Sequence, residues 1–443
     1  MVVSVEEILA ADLGYYEGVM AIGFRRAGTY IASVLAQSGM SELAARIKPK
    51  IGSLPPSVPF HSEITPNAVA GRWSVLHARG EIREQLFDEQ TARQMEQYQH
   101  NIENFIGTVK LPVGVAGPLR VNGLFAQGDF YVPMATTEAT LVASYNRGAG
   151  LISEVGGASA MLLSEGVSRS PVFSFANFED LGIFIKWATE HETDIRQVAE
   201  STTHFGKLID LELSIEGSTV YFSFVYTTGD AAGQNMVTIA THAAVQWMVE
   251  HAPVKPQSVY LEGNFSGDKK ASAQSLQNVR GKKVTAEVIV PYDIIEKRLH
   301  TSAERIVELY QLSVLGGVLS GTLGVQGHYA NGLAAVFIAC GQDAACVAEA
   351  AIGTTVFELR PERKLHLSVT LPNLIVGTVG GGAALPSQRS CLEMLGLAGA
   401  GNARAFAEVV AALCLAGEIS ICGAIAAGEF AQAHARLARG KNI

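Results

Sequence analysis

Residues 207–227 read Lys-Leu-Ile-Asp-Leu-Glu-Leu-Ser-Ile-Glu-Gly-Ser-Thr-Val-Tyr-Phe-Ser-Phe-Val-Tyr-Thr. They form two runs in which apolar and polar residues alternate, joined at Glu216-Gly217. Alternation with a period of two residues is typical of β-strands, and a glycine between two such runs is typical of a hairpin. The sequence therefore predicts strands over Lys207–Ile215 and Ser218–Thr227.

The hairpin lies within a longer alternation of strands and helices. A strand-like run at Val172–Phe175 leads to a helical pattern at Asp180–Glu190. After the hairpin come a helical pattern at Gly233–His251 and a strand-like run at Ser258–Leu261. The order β-α-β-β-α-β is typical of a ferredoxin-like domain, so we predict a small domain of this kind at residues 171–260.

The rest of the chain is richer in helix, which makes the predicted fold class α+β. Residues 1–100 predict a helical N-terminal region, with an amphipathic helix at Glu81–Tyr98. Residues 101–170 and 261–443 predict one large domain into which the small one is inserted. This domain ends in an alanine-rich helical stretch, Ala403–Ala438, that supplies a long central helix and is broken by Gly417, Gly423 and Gly428.

Composition and charge exclude several classes of protein. Apolar residues make up 48% of the chain and charged residues 17%, which predicts a large buried interior and an oligomer. The net charge of −9, without a basic stripe, argues against nucleic-acid binding. The sequence predicts neither a secretory signal nor a membrane span, and hence a cytoplasmic protein. Five cysteines without close pairing predict neither disulfides nor a metal site.

One polar loop carries a concentrated set of charges. Glu262-Gly-Asn-Phe-Ser-Gly-Asp268-Lys269-Lys270 follows the last strand of the small domain. A lysine held beside a carboxylate at the end of a strand can stabilise an oxyanion that forms during a reaction. A pair of solvated surface lysines is the competing interpretation.

Further motifs occur along the chain in a fixed order. They are Glu103-Asn-Phe-Ile-Gly107, Pro112–Pro118, Val132–Gly148, Gly229–Met236, Ile338–Ala345, Gly377–Gly382 and Leu415–Ser420. Together with the lysine loop, this ordered set resembles the 3-hydroxy-3-methylglutaryl-coenzyme A reductase family over residues 100–440, and its NADPH-using eukaryotic and archaeal branch in particular. The resemblance implies reduction of an acyl-CoA thioester to a primary alcohol, with hydroxymethylglutaryl-CoA converted to mevalonate.

The resemblance also implies four catalytic residues. Lys269 would stabilise the oxyanion, and Glu138 would act as a general acid. Asp343 would lie between them and tune both charges, and His434 would protonate the departing thiolate of coenzyme A. Without the resemblance, a residue such as Glu138 more often complements a helix dipole, Asp343 is equally a helix cap, and a histidine such as His434 on an alanine-rich helix is more often structural.

The cofactor implied by the resemblance is NADPH, with NADH as the alternative. No Gly-x-Gly-x-x-Gly pattern follows a strand and opens a helix, which disfavours a Rossmann domain. A helix N-terminus and a glycine run instead offer backbone amides and close approach to a dinucleotide. The residues implied to bind the cofactor are Thr203, His204, Phe205, Asp230, Gly233, Gln234, Asn235, Met236, Gly377, Thr378, Val379, Gly380 and Gly381.

The substrate side matches the family only in part. The family's usual serine is replaced by Glu262, and its lysine for the substrate carboxylate is missing from the stretch Val307–Val314. The residues implied to contact coenzyme A and the acyl group are Ser144, Asn146, Arg147, Arg169, Glu262, Asp268, Lys270 and Asn331.

Three interpretations of the substrate remain. The chain reduces hydroxymethylglutaryl-CoA with a rearranged pocket, or it reduces an acyl thioester that lacks the distal carboxylate. In the third, it binds or hydrolyses thioesters without reducing them. The resemblance further implies a homodimer with shared active sites, with residues Glu103–Gly107 at the dimer contact.

Overall fold

The computed structural model describes residues 28–29, 31–33, 36, 40–50, 52–76 and 80–439. The chain divides into two compact units, residues 1–58 and 59–443. In the first unit, helix α1 spans Met40–Ile47, with an acidic side chain in its first turn and a basic one in its last. That arrangement complements the helix dipole.

The second unit begins with three short helices, α2 (Pro66–Val75), α3 (Gly80–Leu86) and α4 (Glu89–Gln94), and α4 runs into a 3₁₀ turn at Met95–Tyr98. The prediction of one continuous helix over Glu81–Tyr98 is therefore wrong. The break lies at Asp88, whose side chain accepts a hydrogen bond from the amide of Thr91 at 2.8 Å and so begins a new helix.

Arg72 on α2 is the largest fully buried side chain of this helical segment, with 1% of its surface exposed. Its guanidinium donates to the backbone carbonyls of Pro59, Phe60, Glu63 and Phe105. A single arginine therefore holds the chain entering α2 against the chain that leaves the helical segment some thirty residues later.

The described residues contain one sheet of ten strands. Its path runs β7-β4-β6-β3-β8-β10-β9, with β5 beside β6, β1 beside β3, and β2 beside β1. The strands are β1 (Val113–Gly123), β2 (Gln127–Ala135), β3 (Ala158–Arg169), β4 (Val172–Ser174), β5 (Lys207–Glu216), β6 (Thr219–Thr227), β7 (Ser258–Tyr260), β8 (Gly281–Pro291), β9 (Thr354–Arg360) and β10 (Lys364–Leu374).

Strand β3 joins the two halves of this sheet. Its residues Ser159–Gly166 pair with β8 in antiparallel register, and its last residues Val167–Arg169 pair with β6. Arg169 therefore lies where the two halves meet, at the end of a strand held on both sides.

The half of the sheet beyond β3 contains the predicted hairpin, within one residue of the predicted bounds. Its strands lie in the order β7-β4-β6-β5. Helices α6 (Phe178–Glu190), α7 (Glu192–Glu200) and α8 (Gln234–His251) belong to this segment. Their apolar side chains and those of the strands form a hydrophobic cluster of their own, in which aromatic rings such as Phe173 and Phe184 are fully buried.

The other half of the sheet packs against the remaining helices. They are α5 (Leu141–Glu154), α9 (Tyr292–Leu299), α10 (Ala303–Ser320), α11 (Tyr329–Ala339), α12 (Val347–Ala350), α13 (Pro386–Met394), α14 (Ala403–Ala427) and α15 (Phe430–Arg439). The protein thus mixes helices and sheet as an α+β fold.

Helix α14 differs from its prediction. It runs unbroken for 25 residues through Gly417 and ends only at Gly428, which adopts the left-handed conformation with φ of 77°. Gly417 does not end the helix. It makes room for the ring of Tyr145, which would lie only 2.5 Å from a Cβ at this position. By length and composition α14 could cross a membrane, but 83% of its most apolar stretch is buried in the protein, as in a core helix.

Candidate active site

Lys269 and Asp343 form an ion pair. Lys269 Nζ lies 2.8 Å from Asp343 Oδ2, and both side chains are about 40% exposed. The hydrogen bond from Lys269 joins Asp343 to the lysine loop, while Asp343 also accepts from the amide of Ala345 at 2.9 Å and caps a short 3₁₀ turn. The two interpretations of Asp343, as a partner of Lys269 and as a cap, are therefore compatible.

The charge state of this pair follows from its contacts. The hydrogen bond with Asp343 raises the pKa of Lys269. Burial raises the pKa of Asp343, but the hydrogen bonds from Lys269 and from the backbone outweigh burial and leave the pKa below its ordinary value. At neutral pH the lysine is therefore protonated and the aspartate ionised.

A buried network of charges lies beneath the lysine loop. The amide of Lys269 donates to Glu349 Oε1 at 3.1 Å, and Arg280 Nη1 donates to both oxygens of Glu349 at 2.6 and 2.8 Å. Arg280 Nη2 lies 2.9 Å from Asp268 Oδ1. Burial raises the pKa of Glu349 despite the attraction of Arg280. This network fixes the backbone at Lys269, whose φ of 57° is left-handed.

Three predicted substrate-binding residues meet in the same network. Arg169 Nη1 lies 3.0 Å from Glu262 Oε2 and 3.1 Å from Asp268 Oδ2. Ser266 Oγ donates to the same oxygen of Glu262 at 3.1 Å. Lys270 Nζ donates to the backbone carbonyl of Asp268 at 2.8 Å and is exposed. Arg169 thus already holds two carboxylates of the protein itself.

A second group of predicted residues lines a cavity of 210 Å³ beside α5 and α15. Glu138 lies on the loop that precedes α5, because the helix begins only at Leu141. Ser144 and Arg147 on α5 bond to Ser420 on α14, at 3.0 Å to its hydroxyl and 2.6 Å to its carbonyl respectively. The lining is Glu138, Ser144, Arg147, His328, Asn331 and Arg436, with apolar neighbours.

Asn146, predicted among the coenzyme A contacts, takes a different place. The side chain of Asn146 accepts from the amide of Gly117 at 3.0 Å and so holds strand β1. His434 lies on α15, and its side chain is outside the part that the structure describes. His328 was not predicted; its ring packs 5.0 Å from that of Tyr145, and Nε2 lies 2.9 Å from the carbonyl of Gly417.

The predicted cofactor segments lie against one another. The amide of Thr378 donates to the carbonyl of Asp230 at 2.8 Å, and a Cβ on Gly377 would lie 2.5 Å from the amide of Ala232. A Cβ on Gly206, which follows the predicted Thr203–Phe205, would lie 2.6 Å from the side chain of Met236. At Gly377 only glycine permits so close an approach of two backbones, and the three contacts bring separate motifs together.

Beside these contacts, the backbone of the glycine loop is exposed at Gly380 and Gly381. Gly380 and Gly381 have φ of 68° and 48°, and a Cβ at either would meet nothing within 4 Å. The loop lines a cavity of 380 Å³ together with Arg389. Gly233 begins α8, whose first residues are the predicted Gln234, Asn235 and Met236. Exposed amides, an arginine and a helix N-terminus fit the phosphates of a dinucleotide.

Gln234 links the cofactor segments to the Lys269–Asp343 pair. Its Oε1 accepts from Arg280 Nη2 at 2.7 Å, and its Nε2 donates to the Sγ of Cys346, three residues after Asp343, at 3.3 Å. Asp230 has a further contact, since its carboxylate accepts from the amides of Gly401 and Ala403 at the start of α14. The arrangement therefore places a protonated lysine close to a prospective dinucleotide site.

Comparison with known proteins shows which family the chain belongs to. The sequence profile of the hydroxymethylglutaryl-coenzyme A reductase family matches residues 68–439. The chain belongs to this family. It is 43% identical to the 3-hydroxy-3-methylglutaryl-coenzyme A reductase of Methanothermobacter thermautotrophicus over 77% of the chain and 85% of the relative. It is 40% identical to reductase 2 of Solanum tuberosum over 75% of the chain and 57% of the relative.

The fold of a solved reductase is also similar. A class II 3-hydroxy-3-methylglutaryl-CoA reductase from Streptococcus pneumoniae, solved with NADPH bound, superimposes with a TM-score of 0.61 at 19% identity. The superposition covers 82% of this chain and all of that one. Within the family, the chain is thus closer in sequence to the archaeal and plant relatives than to this class II enzyme.

The residues that sequence reasoning missed are those of the supporting network. Arg280 and Glu349 are 69 positions apart, and their side chains are 4% and 1% exposed. Their neighbours in the sequence carry no pattern that marks a buried ion pair. Only their pairing in the folded chain shows that they position Lys269.

Proposed function

We propose that the protein reduces hydroxymethylglutaryl-CoA to mevalonate with NADPH. The observation that carries this proposal is the Lys269–Asp343 pair, set beside the glycine-rich cofactor segments in a chain of this reductase family. A protonated lysine is the group that such a reduction requires over the reacting carbonyl oxygen.

The cofactor would be held by the three segments that lie together. These segments are Thr203–Phe205, Asp230–Met236 and Gly377–Gly381. Backbone amides at the start of α8 and along the glycine loop would contact the phosphates. NADPH supplies, when bound, the two electrons and the hydrogen that each reduction step needs. The residues around it determine where the acyl group lies and how protons move.

Proton handling would be divided among the named side chains. Lys269 Nζ would donate to the thioester oxygen, and Asp343, at 2.8 Å, holds the ammonium in place and keeps it protonated. Glu138 would supply a proton to the aldehyde oxygen, and His434 would protonate the thiolate of coenzyme A. Ser144 and Arg147 would bind coenzyme A, with the Arg147 guanidinium directed to a phosphate, while Asn146, predicted to contact it as well, would act by holding strand β1 beside them.

We further propose the domain organisation expected from the sequence. Residues 171–260 would form an inserted ferredoxin-like cofactor domain within a large domain of residues 101–170 and 261–443. The predicted helical region of residues 1–100 precedes them, and its residues 1–27 lie outside the described part of the chain. The strand order β7-β4-β6-β5 and the separate hydrophobic cluster of this segment support the insertion. Helix α14, almost wholly buried, would be the central helix of the large domain.

We also propose a homodimer that shares its active sites and works in the cytoplasm. Residues Glu103–Gly107 would lie at the dimer contact. Large apolar side chains that follow them, among them Val109 at 74% exposure and Val113 at 51%, support this surface as an interface. The free thiols of all five cysteines fit a reducing compartment.

A second candidate is the reduction of an acyl thioester without a distal carboxylate. It is favoured by one contact, the ion pair of Arg169 with Glu262 at 3.0 Å, because a substrate carboxylate would compete with Glu262 for the same guanidinium.

The test is oxidation of NADPH by the purified protein with hydroxymethylglutaryl-CoA and with a panel of other acyl-CoAs. We expect turnover of hydroxymethylglutaryl-CoA, reduced about 10²- to 10³-fold in kcat by Lys269→Met. Lys186→Met is the matched control, since Lys186 is 78% exposed on α6 and should have no effect. Failure of the unmodified protein to oxidise NADPH with any thioester would refute the proposal.

A further inference from the structure

The network around Arg169 already holds an excess of negative charge. Two guanidinium groups, those of Arg169 and Arg280, face three carboxylates, those of Glu262, Asp268 and Glu349. Counted as ionised groups, they give one net negative charge. If Glu262 were neutral, the same set would balance.

The neighbouring charges do not change this balance by much. Lys269 is compensated by Asp343 at 2.8 Å. Lys270 supplies one further positive charge, but its ammonium is exposed and donates to a backbone carbonyl, so water screens it. Among the described residues of this network, therefore, the ionised Glu262 leaves neither guanidinium with an excess of positive charge for an incoming anion.

Glu262 is the more accessible of the two carboxylates on Arg169. Its side chain is 31% exposed, against 18% for Asp268 and 10% for Arg169 itself. Ser266 Oγ supports it by donating to the oxygen that binds the arginine. The Nε of Arg169 is buried and has no hydrogen-bond partner among the described residues. A ligand anion approaching from solvent would thus meet Glu262 first.

We propose that Glu262 is a specificity-determining residue that occupies Arg169 and discriminates against a carboxylate on the acyl group. The inference rests on the proposed function, which places the acyl thioester beside Lys269. An acyl chain with an uncharged end leaves the Arg169–Glu262 pair intact. An acyl chain with a terminal carboxylate must displace Glu262 or bind beside it against repulsion.

The experiment compares two thioesters that differ only at the far end, hydroxymethylglutaryl-CoA and 3-hydroxy-3-methylbutyryl-CoA. In Glu262→Gln we expect kcat/KM for the first to rise about tenfold or more, mainly through a lower KM, because repulsion between two carboxylates is removed. For the second, kcat/KM should stay within about twofold, since it carries no charge there.

Glu154→Gln is the matched control. Glu154 is also a partly exposed, ion-paired glutamate, with 24% of its side chain exposed, but it pairs with Lys297 and Arg298 at the far end of α5. It should leave both values unchanged. Glu262→Ser, which replaces the carboxylate by a smaller uncharged side chain, serves as the second variant if the glutamine variant does not fold.

Calorimetric titration of each thioester keeps the inference separate from the proposed function. If neither thioester is reduced by any variant, the proposed reduction fails, yet the ratio of the two dissociation constants still tests Glu262. A ratio that is the same in the unmodified protein and in Glu262→Gln would overturn the inference. So would weaker binding of hydroxymethylglutaryl-CoA by the variant.

Discussion

Gly148 marks the closest approach between two helices that carry the candidate site. It lies on α5, and a Cβ built on it would stand 1.8 Å from the carbonyl oxygen of Ala416 on α14 and 2.6 Å from that residue's carbonyl carbon. Real Cβ atoms essentially never approach closer than 3.0 Å, so Gly148→Ala must separate the helices by about 1.2 Å.

The expected loss of stability follows from this displacement. Overpacking a close-packed core destabilises by about 1–3 kcal/mol, and a clash with the backbone of a buried helix belongs at the upper end. Replacing a helical glycine by alanine returns up to about 1 kcal/mol of helix propensity. We therefore expect the free energy of unfolding of Gly148→Ala to fall by about 2 kcal/mol.

Gly150→Ala on the same helix is the matched control, because a Cβ there meets nothing within 4 Å. Its free energy of unfolding should stay unchanged or rise by up to about 1 kcal/mol. Urea denaturation followed by far-ultraviolet circular dichroism measures both. Since Ser144 and Arg147 contact α14 through Ser420, Gly148→Ala should also raise KM for the CoA thioester. Equal stability of the two variants would show that the close approach of the helices is not as described.

Three further predictions concern buried or paired charges. Glu418→Ala should lower the free energy of unfolding by about 3 kcal/mol. The Glu418 carboxylate is 1% exposed and accepts hydrogen bonds from two backbone amides and one threonine hydroxyl, which would lose their partner. Glu418→Gln should lose less stability, and urea denaturation measures the difference between the two variants. Asp230→Ala should cost about 1–2 kcal/mol by uncapping α14. NADPH titration by fluorescence should show weaker binding, because the Asp230 carboxylate holds Gly401, and the neighbouring Gly399 accepts a hydrogen bond from Thr378 of the glycine loop. The Lys269–Asp343 pair has a raised lysine pKa and a lowered aspartate pKa, so its contribution to stability should be complete between the ordinary values of 3.8 and 10.5. That contribution should vanish as the pH falls through the lowered pKa of Asp343 or rises through the raised pKa of Lys269; a difference in stability between the unmodified protein and Lys269→Met that is independent of pH at both extremes would contradict this.

Elements whose signals lie in neighbouring residues could be predicted from the sequence. The hairpin at Lys207–Thr227 was predicted within one residue, since alternation and a glycine turn are written in adjacent positions. The continuity of α14 through Gly417 was not, because the glycine there makes room for Tyr145 on another helix and does not end its own. Packing across the fold decided the role of that glycine.

Some residues of the candidate site could be predicted from the sequence, and others could be found only in the folded chain. The resemblance to the family marked Lys269 and Asp343, which the structure joins at 2.8 Å although 74 positions separate them. Arg280 and Glu349, which fix the backbone of Lys269, carry no local signal. The replacement of the family's serine by Glu262 marked a difference on the substrate side, but the contact of Glu262 with Arg169 became visible only in the folded chain.

The carbonyl cage around Arg72 determines how far the chain can be shortened from its N-terminal side. A chain that begins at Pro59 keeps all four acceptors of the guanidinium, whereas one that begins at Thr65 keeps only that of Phe105. The match to the family profile begins still later, at residue 68. A fragment that begins at residue 68 would therefore leave the buried Arg72 with only one of its four hydrogen-bond acceptors. A protease that cleaves between residues 59 and 65 would likewise release the chain that enters α2.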